Sequence, residues 1–307
     1  MIKVFDCVII GSGPAGYTSA IYLGRYNIKH VLYTGEKPGG QLRTTTKVEN
    51  FPGFYKGILG YKLMDQMYKQ AIKFGSIIKK EKIIKVIFKK YKEHILYTET
   101  KKKIKTKSVI IATGSLPKKL NIKSENKFIG FGISYCATCD GILFKKKRVA
   151  VIGGGETALE ESLFLSNICK TIYLIVRKNK LKGSIYLKKK VKKKKNIKIL
   201  FNKKVIKFLG KKTIKYIIIF NKKKNKKNKI RISCVFIAIG YFPNTFIFKN
   251  KIKMDNQGYI KTKNNSTKTN ISGVFAAGDV QDKKYKQAIT SAGSGCMAAL
   301  DVKKFLF

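Results

Sequence analysis

The sequence predicts an α/β protein of two domains, each a parallel β-sheet flanked by helices, with the second domain inserted into the first. Three observations carry this prediction. Apolar strand-like runs alternate with helical stretches along the chain, the pattern of parallel sheets. A glycine-rich turn between an apolar strand and a helical stretch occurs twice, at residues 11–16 and 153–158. Gly/Pro-bearing stretches at 113–117 and 240–245 bracket the second of these units, as two linkers would. The 307 residues also suit two domains, by a rough prior of ~100–200 residues each. The expected division is 1–116 with 244–307 for the outer domain and 117–243 for the inserted one.

Taken in order, the first element is the apolar run from Val4 to Ile10, followed by Gly11, Ser12, Gly13, Pro14, Ala15 and Gly16 and then a helical segment through Arg25. In such a G-x-G-x-x-G turn the first glycine permits the bend, the second lets backbone approach a pyrophosphate, and the third allows close helix packing. The helix N-terminus then offers free N–H groups and partial positive charge to the anion. Two further strand-to-turn junctions follow, one ending in Ala112, Thr113 and Gly114 and one running from Val274 through Gly278 and Asp279.

The inserted unit repeats the device. Arg148 to Ile152 reads as a strand, Gly153, Gly154, Gly155, Glu156, Thr157 and Ala158 as the turn, and Leu159 to Asn167 as helix. A lone glycine motif is a weak signal in a chain with 26 glycines, but two in the same strand–turn–helix setting predict two Rossmann-like dinucleotide sites. The next strand, Thr171 to Val176, ends in Arg177-Lys178, where an NAD site would carry an acid for the ribose hydroxyls. Arginine is rare in this chain and its planar fork suits a 2′-phosphate, so NADPH is favoured over NADH here. Lys182 could assist, and could equally be one more surface lysine.

The sharpest chemical feature is Cys136-Ala137-Thr138-Cys139-Asp140-Gly141. C-x-x-C spacing can close a small disulfide, and thiols near a helix start can be acidified. Zinc is the competing reading. It needs four ligands, and the chain has no second C-x-x-C and only His30 and His94. The other cysteines, Cys7, Cys169, Cys234 and Cys296, fall in apolar patterns and are expected to be inert core residues.

At these residues the sequence resembles the bacterial low-molecular-weight thioredoxin reductases, from Val4 to about Lys303. The resemblance extends to Gly39-Gly40-Gln41-Leu42, to Val48 through Gly53, to Ala276 through Val280, and to Gln287 through Gly293. The dithiol lies just before the second glycine turn, which separates this family from the glutathione reductase type. The resemblance implies an FAD-binding outer domain and an NADPH-binding inserted domain that carries the redox-active dithiol.

It further implies an FAD site that draws on residues 11–16, on Thr34, Gly35, Glu36, Lys37, Pro38, Gly39, Gly40, Gln41 and Leu42, and on Asn50. Ala112, Thr113 and Gly114, with Gly278, Asp279, Val280, Lys286, Gln287 and Ala288, complete that set. Asp279 would accept from the ribityl chain, and the helix beginning near Gln287 would aim its positive end at the flavin. For NADPH the implied residues are Gly153, Gly155, Glu156, Thr157, Ala158, Arg177, Lys178 and Lys182. Electrons would pass from NADPH to FAD, to the Cys136/Cys139 disulfide and on to thioredoxin. Cys139 would face the flavin, Cys136 would attack thioredoxin, and Asp140 would be the acid/base. The inserted domain would rotate on its linkers between half-reactions, and the molecule would be a homodimer. Val176, Lys178 and Lys286 depart from the basic or arginine residues usual at these places, and Glu156 puts an acid within reach of phosphates or ribose.

Composition bounds the alternatives. There are 67 Lys plus Arg against 16 Asp plus Glu, a formal net charge of +51, yet only five arginines (Arg25, Arg43, Arg148, Arg177, Arg231). Nucleic-acid reading favours arginine, and no nucleic-acid motif is present, so no specific nucleic-acid partner is expected. Richness in Ile, Asn, Lys, Phe and Tyr, with no Trp, matches drift toward A/T-rich codons. The lysine-dense stretches 188–198 and 222–229 read as a solvated helix face and a hairpin loop. No apolar run approaches the ~18 residues that span a bilayer. A strand beginning at Val4 leaves no room for a leader, so a reducing cytoplasm is expected and no metal site. The remaining enzyme alternatives are a small-molecule dithiol oxidase and a ferredoxin-type reductase, and the C-x-x-C argues against the latter.

Overall fold

The computed structural model describes residues 4–44, 47–90 and 92–307. They form two compact units. One comprises the chain up to Leu116 together with Phe242–Phe307, the other Pro117–Tyr241. The second boundary thus falls two residues before the expected 243/244. The described α-helices are α1 (Pro14–Arg25), α2 (Gly60–Lys73), α3 (Glu125–Phe128), α4 (Ala137–Asp140), α5 (Glu156–Ser166), α6 (Ile185–Lys193) and α7 (Ala288–Leu306).

In the first unit the strands Ile77–Lys79, His30–Tyr33, Val4–Ile10 and Lys103–Ile111 pair side by side in parallel. The long strand Lys103–Ile111 has two different neighbours on its far edge. Its first half pairs antiparallel with His94–Thr98, which continues to Ile83–Ile87, and its last three residues pair in parallel with Val274–Ala276. Strand side chains alternate between faces. Cys7 and Ile9 therefore enter a core with α1, α2 and α7, while Val8 and Ile10 enter a second core with Val86, Leu96, Phe248 and Ile260.

In the second unit five strands lie in parallel, in the order Ile133–Ser134, Cys234–Ile237, Arg148–Ile152, Thr171–Val176 and Ile197–Phe201. Val149 and Val151 pack with Leu159 and Leu165 of α5 and Val191 of α6. Ala150 and Ile152 face the other way. There they meet an antiparallel meander of Lys203–Gly210, Ile214–Asn221 and Lys226–Arg231 through Val205, Phe208 and Ile217. This meander and the hairpin of the first unit add antiparallel strands to the parallel sheets that the sequence predicted. The dense lysines of 222–229 lie partly in the turn after Asn221 and partly in the exposed edge strand Lys226–Arg231, while those of 188–193 lie on α6.

The two expected linkers are ordered short strands, Ser115–Pro117 and Tyr241–Pro243, paired with each other. The Asn244 N–H donates to Gly114 O at 2.9 Å, and the Lys118 N–H donates to Gly240 O at 2.9 Å.

Candidate active site

The glycine turn of the first unit sits at the carboxyl end of strand Val4–Ile10, the end of a parallel sheet where ligands bind. Gly11 has φ +110°, and a Cβ there would run into the carbonyl of Ala112; a Cβ on Gly16 would run into the carbonyl of Gly11. These two glycines are therefore fixed by packing. Gly13 is different: a Cβ on it would meet nothing within 4 Å, so its bare backbone borders open space. Gly13 is also the N-cap of α1, with no side-chain cap, Pro14 in the first turn and no acid there. The free amides of that turn fit a pyrophosphate.

Around this cradle the implied residues converge. Buried Ser12 donates to Thr34 O at 3.4 Å and accepts from Gly39 N–H at 3.0 Å, which ties the 34–42 loop to the turn. Gly35 and Gly114 both have positive φ and open space where a side chain would be. The Gln41 amide donates to Ser115 O at 2.6 Å, and Asn50 Nδ2 donates to Gln287 Oε1 at 3.1 Å. Glu36 is exposed and ion-paired with Lys82 at 2.6 Å. Lys82 holds its carboxyl below the ordinary range. Lys37 is exposed and Pro38 half-buried beside it.

Asp279 lies at the end of strand Val274–Ala276, where burial pushes its carboxyl up against the hydrogen bonds that favour the anion. It accepts from Ser291 Oγ at 3.1 Å and from Ser115 Oγ at 3.3 Å. Gly278, at φ +74°, donates its N–H to Ser294 Oγ, and Val280 is buried. Lys286 has φ +50° and its ammonium lies 5.3 Å from the Tyr259 ring centroid. The next residue, Gln287, caps α7 in a reciprocal box with Thr290, so the helix starts at Ala288 as the motif implied. Ser115 and Ser291 were not singled out in the sequence as site residues. Their signal was positional only, one residue past Gly114 and inside the Gln287–Gly293 motif.

The second glycine turn follows the same logic. Gly153 packs on Ala238 and Ala158, while a Cβ on Gly155 would meet nothing within 4 Å. Gly155 caps α5 without a side-chain bond. Glu156 is engaged by the segment that follows the next strand. Its Oε2 accepts from Ser184 N–H at 2.8 Å, and Lys182 N–H donates to Gly154 O at 2.7 Å. The 177–184 segment is thereby tied back over the turn by backbone groups of Lys182 and Ser184. Arg177, Lys178 and Lys182 are all exposed there, at the carboxyl end of strand Thr171–Val176, and Thr157 is exposed in the first turn of α5.

Strand Ile133–Ser134, at the edge of the same sheet, delivers the cysteines. Because all five strands run in parallel, its carboxyl end shares a rim with the glycine turn and Arg177. Cys136 and Cys139 form a disulfide with their Cα atoms 5.3 Å apart. Cys136 is the N-cap of α4, its Sγ accepting from Cys139 N–H at 3.2 Å and lying 3.3 Å from Thr138 Oγ1. Asp140 Oδ2 accepts from Ser134 Oγ at 2.6 Å, while Oδ1 is buried with no hydrogen-bond partner among the described residues. Burial pushes this carboxyl up, and the Ser134 bond opposes the shift. Cys7, Cys169 and Cys234 are buried, as their apolar settings predicted. Cys296 departs from that expectation, being half-buried beside the Tyr22 hydroxyl.

The sequence matches the pyridine nucleotide-disulphide oxidoreductase family over residues 5–295. It is 50% identical to the thioredoxin reductase of Buchnera aphidicola subsp. Schizaphis graminum, an alignment covering 97% of this chain and 96% of the relative. Identity to the thioredoxin reductase of Borreliella burgdorferi is 47%, covering 98% and 92%. Among solved structures, the thioredoxin reductase of Streptococcus pyogenes superposes with a TM-score of 0.93 at 31% identity, over 100% of this chain and 99% of that one. With its two dinucleotide cradles and its disulfide beside the second of them, the chain belongs to the pyridine nucleotide-disulphide oxidoreductases and, within them, to the low-molecular-weight thioredoxin reductases.

Proposed function

We propose that the protein is an NADPH-dependent, FAD-carrying disulfide reductase whose Cys136–Cys139 pair reduces thioredoxin. The observation that carries this reading is the half-exposed disulfide on the sheet rim that also bears an open glycine turn and an exposed Arg177. FAD fits the first cradle, through residues 11–16, the 34–42 loop, Asn50, residues 112–114 and the Asp279–Gln287 region. NADPH fits the second, through Gly153, Gly155, Thr157, Ala158, Arg177, Lys178 and Lys182. When bound, the two cofactors supply a hydride and carry its two electrons to the disulfide.

The chain's own residues then manage sulfur and protons. Cys136 is the nucleophile toward thioredoxin, because its sulfur already accepts the Cys139 amide and a hydrogen bond to a thiolate favours the charged form. Asp140, with its raised pKa, is the group that gives and takes the proton of the second thiol. Directly after the dithiol, Ile142 and Leu143 are each 50% exposed, an apolar surface suited to a protein substrate. Exposed Ile289, Met297 and Leu300 recur along α7 at helical spacing and support a homodimer. The four cysteines outside the disulfide are free thiols, in keeping with a reducing cytoplasm.

The test is an anaerobic titration of the purified FAD protein with NADPH, followed by thioredoxin reduction. The wild type should take up two more electrons than Cys136→Ser, and only the wild type should reduce thioredoxin. Identical titrations would refute the redox role of the pair.

A further inference from the structure

The turn that carries the disulfide is organised around a hydroxyl that the reaction outlined above does not use. Ser134, the last residue of strand Ile133–Ser134, is buried, and its Oγ touches three groups of the turn. It accepts from Cys136 N–H at 3.0 Å, and it lies 2.6 Å from Asp140 Oδ2 and 3.2 Å from Cys136 O, both of them acceptors. A serine hydroxyl has one proton and two lone pairs. It can therefore serve only one of those two oxygens at a time, and the shorter distance is that of a hydroxyl bonded to an ionised carboxylate.

This hydroxyl is itself held in place. Ser134 pairs with Phe236 in the parallel sheet. The next residue, Tyr135, is fixed at both ends: its carbonyl accepts from the Tyr241 hydroxyl at 2.7 Å, and its own hydroxyl donates to buried Glu125 at 2.9 Å. On the other side α4 is pressed against α5, where a Cβ on Gly141 would come within 2.9 Å of Leu165 and 3.1 Å of Phe164. Asp140 Oδ1 is buried there with no hydrogen-bond partner among the described residues. The side-chain hydrogen bond to Asp140 comes from Ser134.

We propose that Ser134 is a positioning residue of the disulfide centre, whose hydroxyl holds Asp140 as the anion and turns to the Cys136 carbonyl when Asp140 takes a proton. This inference rests on the disulfide-reductase reading, in which Asp140 takes its proton from the second thiol. That step moves one proton and no electrons: the S–H bond of Cys139 breaks, an O–H bond forms on Asp140, and the negative charge passes from oxygen to sulfur. A proton on Oδ1 would be a buried donor without an acceptor, so it settles on Oδ2. Oδ2 then donates to Ser134 Oγ, which goes on accepting from Cys136 N–H with its other lone pair, and the serine proton swings to Cys136 O. Ser134, Oδ2 and the Cys136 peptide groups have partners in both states.

The electrostatic setting agrees. Burial raises the Asp140 carboxyl, and the Ser134 bond opposes that shift. The other titratable groups on the elements around the turn are Glu125, Tyr135 and Tyr241, Cys234 on strand Cys234–Ile237, Glu156, Glu160 and Glu161 on α5, and Lys145, Lys146 and Lys147 after residues 141–144. Of these, Cys234 responds to Asp140: burial first, and then the carboxylate, push its thiol up.

The test is carbon-13 NMR of labelled aspartate carboxyls in the oxidised, FAD-loaded protein between pH 4 and 8, for wild type and Ser134→Ala. The Asp140 signal is assigned by its loss in Asp140→Asn. Removing the hydroxyl should raise the Asp140 midpoint by about one pH unit, a tenfold gain in proton affinity. A turn that had merely loosened would admit water and move the midpoint down, so an unchanged or lowered midpoint overturns the proposal. Hydrogen exchange of the wild-type Cys136 amide reads the swing of the hydroxyl. Its protection factor should agree within about twofold on the two sides of the Asp140 midpoint, and a larger loss on the acid side overturns the proposal. If the wild type fails to reduce thioredoxin with NADPH, the functional reading fails, while the two NMR measurements still decide Ser134.

Discussion

Arg177 shows how much one side chain can carry. It stands exposed at the end of strand Thr171–Val176, and the sequence singles it out because arginine is scarce against a lysine background. Arg177→Ala should raise KM for NADPH about 10- to 100-fold, the loss of charge-assisted hydrogen bonds worth roughly 1.5–3 kcal/mol. Turnover at saturation and the KM for NADH should stay nearly unchanged, and steady-state kinetics with both nucleotides checks this. A loss in kcat instead would place Arg177 outside the 2′-phosphate contact. Glu156 was less readable. Its position in the first turn suggested contact with the ligand, and no sequence signal showed that the chain loops back so that the Ser184 amide donates to its carboxylate.

At the scale of elements, the strand–glycine–helix units were readable because two signals coincide, an apolar run and a turn that only small residues can make. The meander was not. Its edge strand Lys226–Arg231 is almost wholly exposed and lacks a hydrophobic face, so nothing in its composition marks a strand. It exists through pairing with Ile214–Asn221, and its lysines discourage further pairing along that open edge.

The packing of α7 on α1 makes a sharper prediction. Ser19 Oγ lies within hydrogen-bond distance of both Ala15 O and Gly295 O, and a Cβ on Gly295 would collide with the backbone of Ala15. Gly295→Ala should destabilise the first unit by about 1–3 kcal/mol through overpacking. Because α1 carries the cradle, FAD should be lost at lower denaturant concentration. Urea titration followed by flavin fluorescence reads both effects, and an unchanged midpoint would show that the helices can slide apart at little cost.

For the molecule as a whole, both histidines belong to the first unit and both are buried. His30 bonds to Ile28 O and Ser76 Oγ, and His94 accepts from Lys89 N–H. Burial holds both imidazoles below their ordinary pKa. The unfolded chain therefore binds protons before the folded one does. The stability this contributes is fully present above about 6.5 and is lost as pH falls from there toward the folded-state values. The melting temperature should drop between pH 7 and 5, and by less in a His30→Gln/His94→Gln variant measured against its own value at pH 7. Equal slopes would assign the acid lability elsewhere. The net charge of +51 adds repulsion that salt relieves, so the comparison belongs at one ionic strength.

The hydrogen bond between Lys118 and Gly240 has a consequence for how such a chain can be assembled. The 125-residue stretch Pro117–Tyr241 is closed by a backbone hydrogen bond one residue in from each of its ends. To the host unit the whole insertion is therefore no wider than a hairpin turn, and the entropy of closing it is met inside the insertion by its own folding. Either piece could be acquired, lost or replaced by recombination without moving the ends that the other must join.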